Sequence, residues 1–147
     1  MSSEQNRTVV RRFFDEAFNQ GNLAVIDEVI ATDWINLDPS LPSPQLRGRE
    51  GARQLVRTAF PDIRFTIEDA ITEGDKVALR VSFGATHKGE FMGMPPTGKR
   101  VNISLTGIFR VVDGMIAENW VIFDALGMMQ QLDAVPVPEP AAQASRR

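Results

Sequence analysis

"RVNISLTGIFRVVDGMIAENWVIFD", Arg100–Asp124, is the stretch on which the fold turns. Its first half alternates. Val101, Ile103, Leu105, Gly107, Phe109 and Val111 fall on one face, and Asn102, Ser104, Thr106 and Arg110 on the other. A period of two marks a strand with one face buried. Asp113–Gly114 interrupts it, and this dipeptide suits the two positive-φ positions of a tight hairpin. "MIAENWVIFD" runs back as a second strand, and from about Ala125 to Leu132 the spacing turns helical. An antiparallel pair followed by a helix therefore closes the chain.

Upstream, "EGDK" at Glu73–Lys76 is a turn between two more strands, one carrying Phe65, Ile67 and Ile71, the other "KVALRVSFGATH". Before Pro61 the period is helical. Val10, Phe13, Phe14, Ala17 and Phe18 form one apolar stripe, ended by Gly21. Asn22 can cap a second, short helix bearing Leu23, Ile26, Val29 and Ile30. "DWINLDP" is a short extended piece, and "SLPSPQLRG" is loop. A third helix from about Arg49 buries Ala52, Leu55, Val56, Ala59 and Phe60. Helices first, then consecutive strands, then one helix is an α+β order, with helices on one face of an antiparallel sheet.

The 147 residues fit one domain, expected over 1–133, with a flexible Pro/Ala-rich tail over 134–147. A net charge of −3 speaks against nucleic acid as a partner. With no cysteine, the sequence excludes disulfides, thiolate metal sites and a cysteine nucleophile. The polar start "MSSEQNRTVVRR" does not resemble a signal peptide, and no apolar run is long enough to span a bilayer. A cytoplasmic protein with no membrane partner is expected.

"GMPPTGKR" matches the spacing of a phosphate-binding loop up to Lys99. Pro95 and Pro96 lack amide hydrogens, however, and strand rather than helix follows, so nucleotide binding is not expected. With Phe91, Met92 and Met94 the segment reads as an apolar rim. Arg49, Arg53 and Arg57 recur every four residues, as on a solvated helix face, with attraction of an acidic substrate as the weaker alternative. His87 is the only histidine and is in phase with Val81, Phe83 and Ala85. It is either a satisfied strand-end histidine or a donor to a substrate oxygen. One histidine and scattered carboxylates do not make a metal site. Asp124, between strand and helix, is either a helix cap or a base in an apolar pocket. Trp120 shares its phase, which would put both on one wall, and Asn36 shares that of Trp34.

"VVRRFFDEAFNQGNLAVIDEVIATDW", "LRGREGARQLVRTAFPDIRFTIEDAITEGDKVALR", "THKGEFMGMPPTGKRV" and "GIFRVVDGMIAENWVIFDALGMMQQL" together resemble the SnoaL-like polyketide cyclase family from Val9 to Leu132. That family has the cone-shaped α+β barrel of nuclear transport factor 2 and ketosteroid isomerase. The resemblance implies a cofactor-independent cyclase closing a ring in a hydrophobic carbonyl compound by an aldol-type step. It places the family's acid/base on Asp124; His87, read from its strand phase, is the second catalytic candidate, as a donor to a substrate oxygen or a partner for Asp124. Trp120, Asn36, Trp34, Phe14, Phe18, Phe91 and Met94 would line the substrate pocket. No metal or organic cofactor is implied. Members commonly pair through the sheet, so a homodimer or higher homo-oligomer is expected. Asn119 stands where many members have histidine.

Rivals on the same fold are a non-catalytic binder of small hydrophobic ligands and an epoxide hydrolase-like or isomerase-like enzyme. The chain has no tyrosine for a ketosteroid isomerase oxyanion hole. Ser82, two residues after Arg80, breaks the Arg-x-Asp spacing of the related epoxide hydrolases.

Overall fold

The computed structural model describes residues 2–39, 46–91 and 93–136. Most of the tail expected over 134–147 lies outside these residues, as do Met92 of the apolar rim and much of "SLPSPQLRG".

Helix α1, Ser3–Arg12, is capped by Ser2 in a reciprocal box with Gln5. It does not run on to Gly21 as an α-helix, because Phe13–Asn19 are wound as π-helix. That winding hydrogen-bonds i to i+5 and turns Phe13 and Phe18 to one side, where their rings meet edge-on at 5.2 Å. Asn19 then stitches the segment to the sheet. Its carboxamide donates to the Phe65 carbonyl at 2.9 Å and accepts the Phe65 amide at 2.7 Å. A 3₁₀ turn, Leu23–Val25, capped by Asn22, leads into the single turn of α2, Ile26–Val29. Ile30, expected in that helix, instead begins β1, Ile30–Leu37. The "short extended piece" is thus an eight-residue strand. Helix α3 spans Gly48–Thr58.

The remaining elements are β2 (Arg64–Glu73), β3 (Lys76–Thr86), β4 (Arg100–Val112), β5 (Met115–Phe123) and α4 (Ala125–Gln131). The strands form one curved sheet in the order β1-β5-β4-β3-β2. Strands β2 to β5 are an antiparallel meander, and Asp113 and Gly114 turn the last hairpin at φ 51° and 79°. The sheet is nevertheless mixed, which corrects the all-antiparallel expectation: β1 lies parallel to β5. The long connection through α3 and the meander lets β1 join the free edge of β5 in the same direction.

Helix α1 and the π segment pack across the sheet around Val10, Phe13, Trp34, Val81 and Phe109, all buried. Helix α4 closes one end over Ala85, Val101 and Ile103 through Met128 and Leu132. None of the described helices is long and apolar enough to cross a membrane.

One irregularity sets which side chains face inward. Arg110 of β4 pairs with Glu118, but the next residue, Val111, pairs with Ile116, so Ala117 is an extra residue on β5. Before this bulge Ile116 points into the core. After it Asn119, Val121 and Phe123 do, while Trp120 and Ile122 face outward. A one-residue insertion flips every later side chain to the opposite face.

Candidate active site

Between the N-terminal elements and the sheet lies a cavity of about 600 Å³. All nine phenylalanines of the sequence line it: Phe13, Phe14, Phe18, Phe60, Phe65, Phe83, Phe91, Phe109 and Phe123. Leu46, Leu55, Ile63, Leu105, Val121 and Met128 complete the apolar wall. The rings interlock edge-on, with Phe14 reaching Phe65 at 5.1 Å and Phe109 at 5.6 Å, so the wall is held without flattening.

Into this surface β1 and β5 introduce two buried amides. They are register partners, Asn36 and Asn119. Asn119 accepts the Trp34 indole N–H at 2.7 Å and donates its amide to the Asn36 side-chain oxygen at 2.6 Å. The indole donates only, so it orients the Asn119 carboxamide, and that in turn orients Asn36. Both amides line the cavity, and a hydrogen-bonded chain of this kind is rigid in apolar surroundings. Among the described residues the cavity's charged lining is Asp38, half-buried just past β1, and Glu90, exposed on the loop after β3. No lysine or arginine is among the described lining residues.

Asp124 is elsewhere. It is exposed, it does not line the cavity, and its carboxylate accepts the Gly127 amide at 2.8 Å as the N-cap of α4. Trp120 is also outside the cavity, 38% exposed on the outer face of the sheet beside Ile108 and Ile122. The wall expected to join Trp120 and Asp124 is therefore not inside the cone, because the bulge at Ala117 reverses the phase that put them there.

His87 is fully buried behind Phe60, ring centroids 5.7 Å apart, and does not line the cavity. Its Nδ1 accepts the Thr97 amide at 3.2 Å and meets the Thr97 hydroxyl at 2.9 Å, which assigns the proton to Nε2. Nε2 has no hydrogen-bond partner among the described residues. Backbone bonds from His87 to Lys99 and from Gly98 to His87 close the same loop, so His87 anchors the "MPPTGK" segment.

Of the other expected lining residues, Asn36, Phe14, Phe18 and Phe91 reach the cavity. Trp34 acts from behind through Asn119, and Met94 bridges to Phe91 through the backbone and packs against the cluster of Ala85, Val101, Ile103, Met128 and Leu132. Asn119, a departure from the histidine of many members, sits at the centre of the polar network, and no periodicity in the sequence marks it. The arginine row is structural: Arg53 meets Asp27 and Glu50, Arg57 meets Glu50, and Arg49 donates to the Ile30 carbonyl. No helix follows "GMPPTGKR", so the arrangement for phosphate is missing.

A curved sheet closed by helices over an apolar cavity, with a few oriented polar groups, defines a small-molecule site on the cone-shaped α+β fold. The model of the SnoaL-like polyketide cyclase family matches residues 8–132. Aklanonic acid methyl ester cyclase DauD of Streptomyces sp. (strain C5) is 32% identical over 136 residues, 89% of this chain and 84% of that protein. Nogalonic acid methyl ester cyclase of Streptomyces nogalater is 32% identical over 120 residues, 79% of this chain and 89% of that one. Among solved structures, TsrD from Streptomyces laurentii superposes with a TM-score of 0.81 at 29% identity, over 92% of this chain and 99% of TsrD. An LEH-like epoxide hydrolase of M. tuberculosis, at 18% identity and a TM-score of 0.70 over 90% of this chain and 92% of its own, shares the fold alone. The chain belongs to the SnoaL-like polyketide cyclase family, and it is an enzyme of the cyclase class.

Proposed function

We propose that this cyclase closes a ring by an intramolecular aldol step on a flat, aromatic, uncharged polyketide ester. The observation that carries this is the convergence of all nine phenylalanines on the cavity. Aromatic walls hold planar rings by offset and edge-on contacts, worth about 0.5–1.5 kcal/mol per pair beyond burial. A carbon between two carbonyls loses its proton, the resulting enolate attacks a third carbonyl carbon of the same molecule, and the new alkoxide takes a proton back. The product is an isomer of the substrate. The substrate's own carbonyls spread the charge, so no metal or organic cofactor enters. Asn36, held by Asn119 and Trp34, is the group assigned to a substrate carbonyl oxygen, where a fixed hydrogen bond favours the charge that develops.

The charge of the lining supports the ester. A free carboxylate would approach Asp38 and Glu90, and no lysine or arginine is among the described lining residues. Like charges about 4 Å apart repel by roughly 4 kcal/mol at a protein-surface dielectric of about 20. Two relatives are named for acting on methyl esters. The outer face of the sheet, with Ile71, Ile108, Trp120 and Ile122 exposed, supports pairing of two copies.

The test compares aklanonic acid methyl ester with its free acid, following ring closure by chromatography and mass, and binding by tryptophan fluorescence. The ester is expected to cyclise at least about tenfold faster, the factor set by 1.4 kcal/mol. Equal or preferred use of the free acid would overturn the charge selection. Binding of both without closure would favour the non-catalytic alternative.

A further inference from the structure

We infer that His87 Nε2–H is a second hydrogen-bond donor to the substrate, covered by the Phe60 ring until an aromatic molecule with a carbonyl oxygen fills the cavity; this rests on the aromatic-substrate reading above. The imidazole is satisfied on one edge alone. Nδ1 accepts from Thr97, whose own hydroxyl accepts the Lys99 amide at 3.2 Å, so that edge is committed to the loop. Nε2–H, on the opposite edge, is fully buried and has no partner among the described residues. A buried donor gives up its bond to water, and unless a partner replaces it the loss is uncompensated. Native proteins keep few such groups.

The surroundings point to the missing partner. His87 directly follows β3 and is in phase with Phe83, a cavity-lining residue of that strand. Thr97 does not line the cavity, so the tied edge is the one turned away from it. The Phe60 ring both lines the cavity and meets the imidazole, with centroids 5.7 Å apart, and it leans on Phe91 at 5.9 Å. Phe60 is half-buried and lies past the last residue of α3, with its backbone held by the Ile63 amide at 3.0 Å. A change of rotamer at Phe60 takes the cover off Nε2–H without moving a strand. An imidazole N–H donates to an oxygen lone pair and has no such partner in a hydrocarbon edge. The ligand it selects is therefore a planar aromatic bearing a ketone or quinone oxygen, not the bare ring system. Asn36 belongs to β1 and His87 follows β3, with β5 and β4 between those strands in the sheet. Two donors spaced in this way set which way round a flat substrate lies, which apolar walls alone do not.

The experiment pairs anthraquinone with anthracene, the same ring skeleton with and without carbonyl oxygens. Binding is read by tryptophan fluorescence and the imidazole by NMR of the isotope-labelled protein, in which the single histidine leaves no ambiguity. In the unmodified protein the ring proton should sit on Nε2, and anthraquinone should move the Hε2 resonance where anthracene does not. His87→Asn keeps an acceptor at the reach of Nδ1 for Thr97 and leaves nothing at Nε2. It should weaken anthraquinone about tenfold, equivalent to about 1.4 kcal/mol, with anthracene held within about threefold. His87→Gln returns an amide nitrogen to the reach of Nε2 and should recover part of the preference. Thr97→Val loosens the loop tie alone and should leave the preference in place, and Phe60→Ala should speed exchange of Hε2 with water. The inference is overturned if the proton is found on Nδ1, if both ligands shift Hε2 alike, or if His87→Asn weakens both equally. It also falls if His87→Gln recovers nothing, if Thr97→Val loses the preference as His87→Asn does, or if exchange in Phe60→Ala is unchanged. Binding of neither ligand would overturn it together with the aromatic-substrate reading. A failure of ring closure on aklanonic acid methyl ester is distinguishable from all of these, since no bond changes in the binding measurements.

Discussion

In this fold the Asp124 carboxylate accepts the Gly127 amide at the start of α4. Asparagine caps about as well as aspartate, and alanine cannot cap at all. Asp124→Ala should cost about 1 kcal/mol, a fall in Tm of roughly 2–4 °C for a domain near this size. Asp124→Asn should melt within a degree or so of the unmodified protein. Differential scanning calorimetry decides it, and an Asp124→Ala variant that melts unchanged would remove the cap as its role. An aspartate at a strand–helix junction reads equally well as cap or as base from sequence, because both need the same residue at the same place. Which it is depends on whether the preceding strand turns that residue inward.

Among the elements, the junction of α3, β2, β3 and β4 is tied by Asp62. Its carboxylate accepts the Thr86 amide at 2.9 Å and the Thr86 hydroxyl at 2.6 Å, and meets Arg100 at 3.1 Å. The Thr86 hydroxyl first, then the Thr86 amide and lastly Arg100, hold this carboxyl below its ordinary value of 3.8. A folded-state value below the unfolded one gives stability that is present above about 3.8 and lost as pH falls through the folded value. Asp62→Asn should therefore melt below the unmodified protein at pH 7, and the gap should narrow between pH 4 and pH 2 (chosen to bracket that value, about 3.9 in model peptides). A gap that stays constant across that range would show that the tie does not depend on charge.

At the scale of the whole molecule, the inward face is committed to the cavity, and the outward face carries Ile71 at 70% and Ile122 at 60% exposure. An apolar patch this open on a sheet is a place for another surface to bind. If two copies pair there, multi-angle light scattering should give twice the chain mass. Ile122→Lys should halve that mass while leaving the cavity residues untouched. A monomer at micromolar concentration for the unmodified protein would remove the pairing.

Much of this protein is legible in its sequence because the signals are local. A period of two, a helical stripe, an asparagine cap and a dipeptide tolerant of positive φ each act over a few residues. Together they determined the element types, their order and the last hairpin. The family could be read from runs of contiguous residues, and Phe14, Phe18, Phe91 and Asn36 could be assigned to a pocket. Tertiary structure alone decided the rest. The parallel seat of β1 and the bulge at Ala117 follow from how distant segments share hydrogen bonds, and no local signal marks the π winding of Phe13–Asn19. The bulge matters most. Simple alternation from Ile116 points Trp120 and Asp124 inward, but the register against β4 inserts Ala117 and turns Asn119, Val121 and Phe123 in instead. Strand phase is a property of the pair, not of the strand, so the face bearing the site is fixed only once the partner strand is in place.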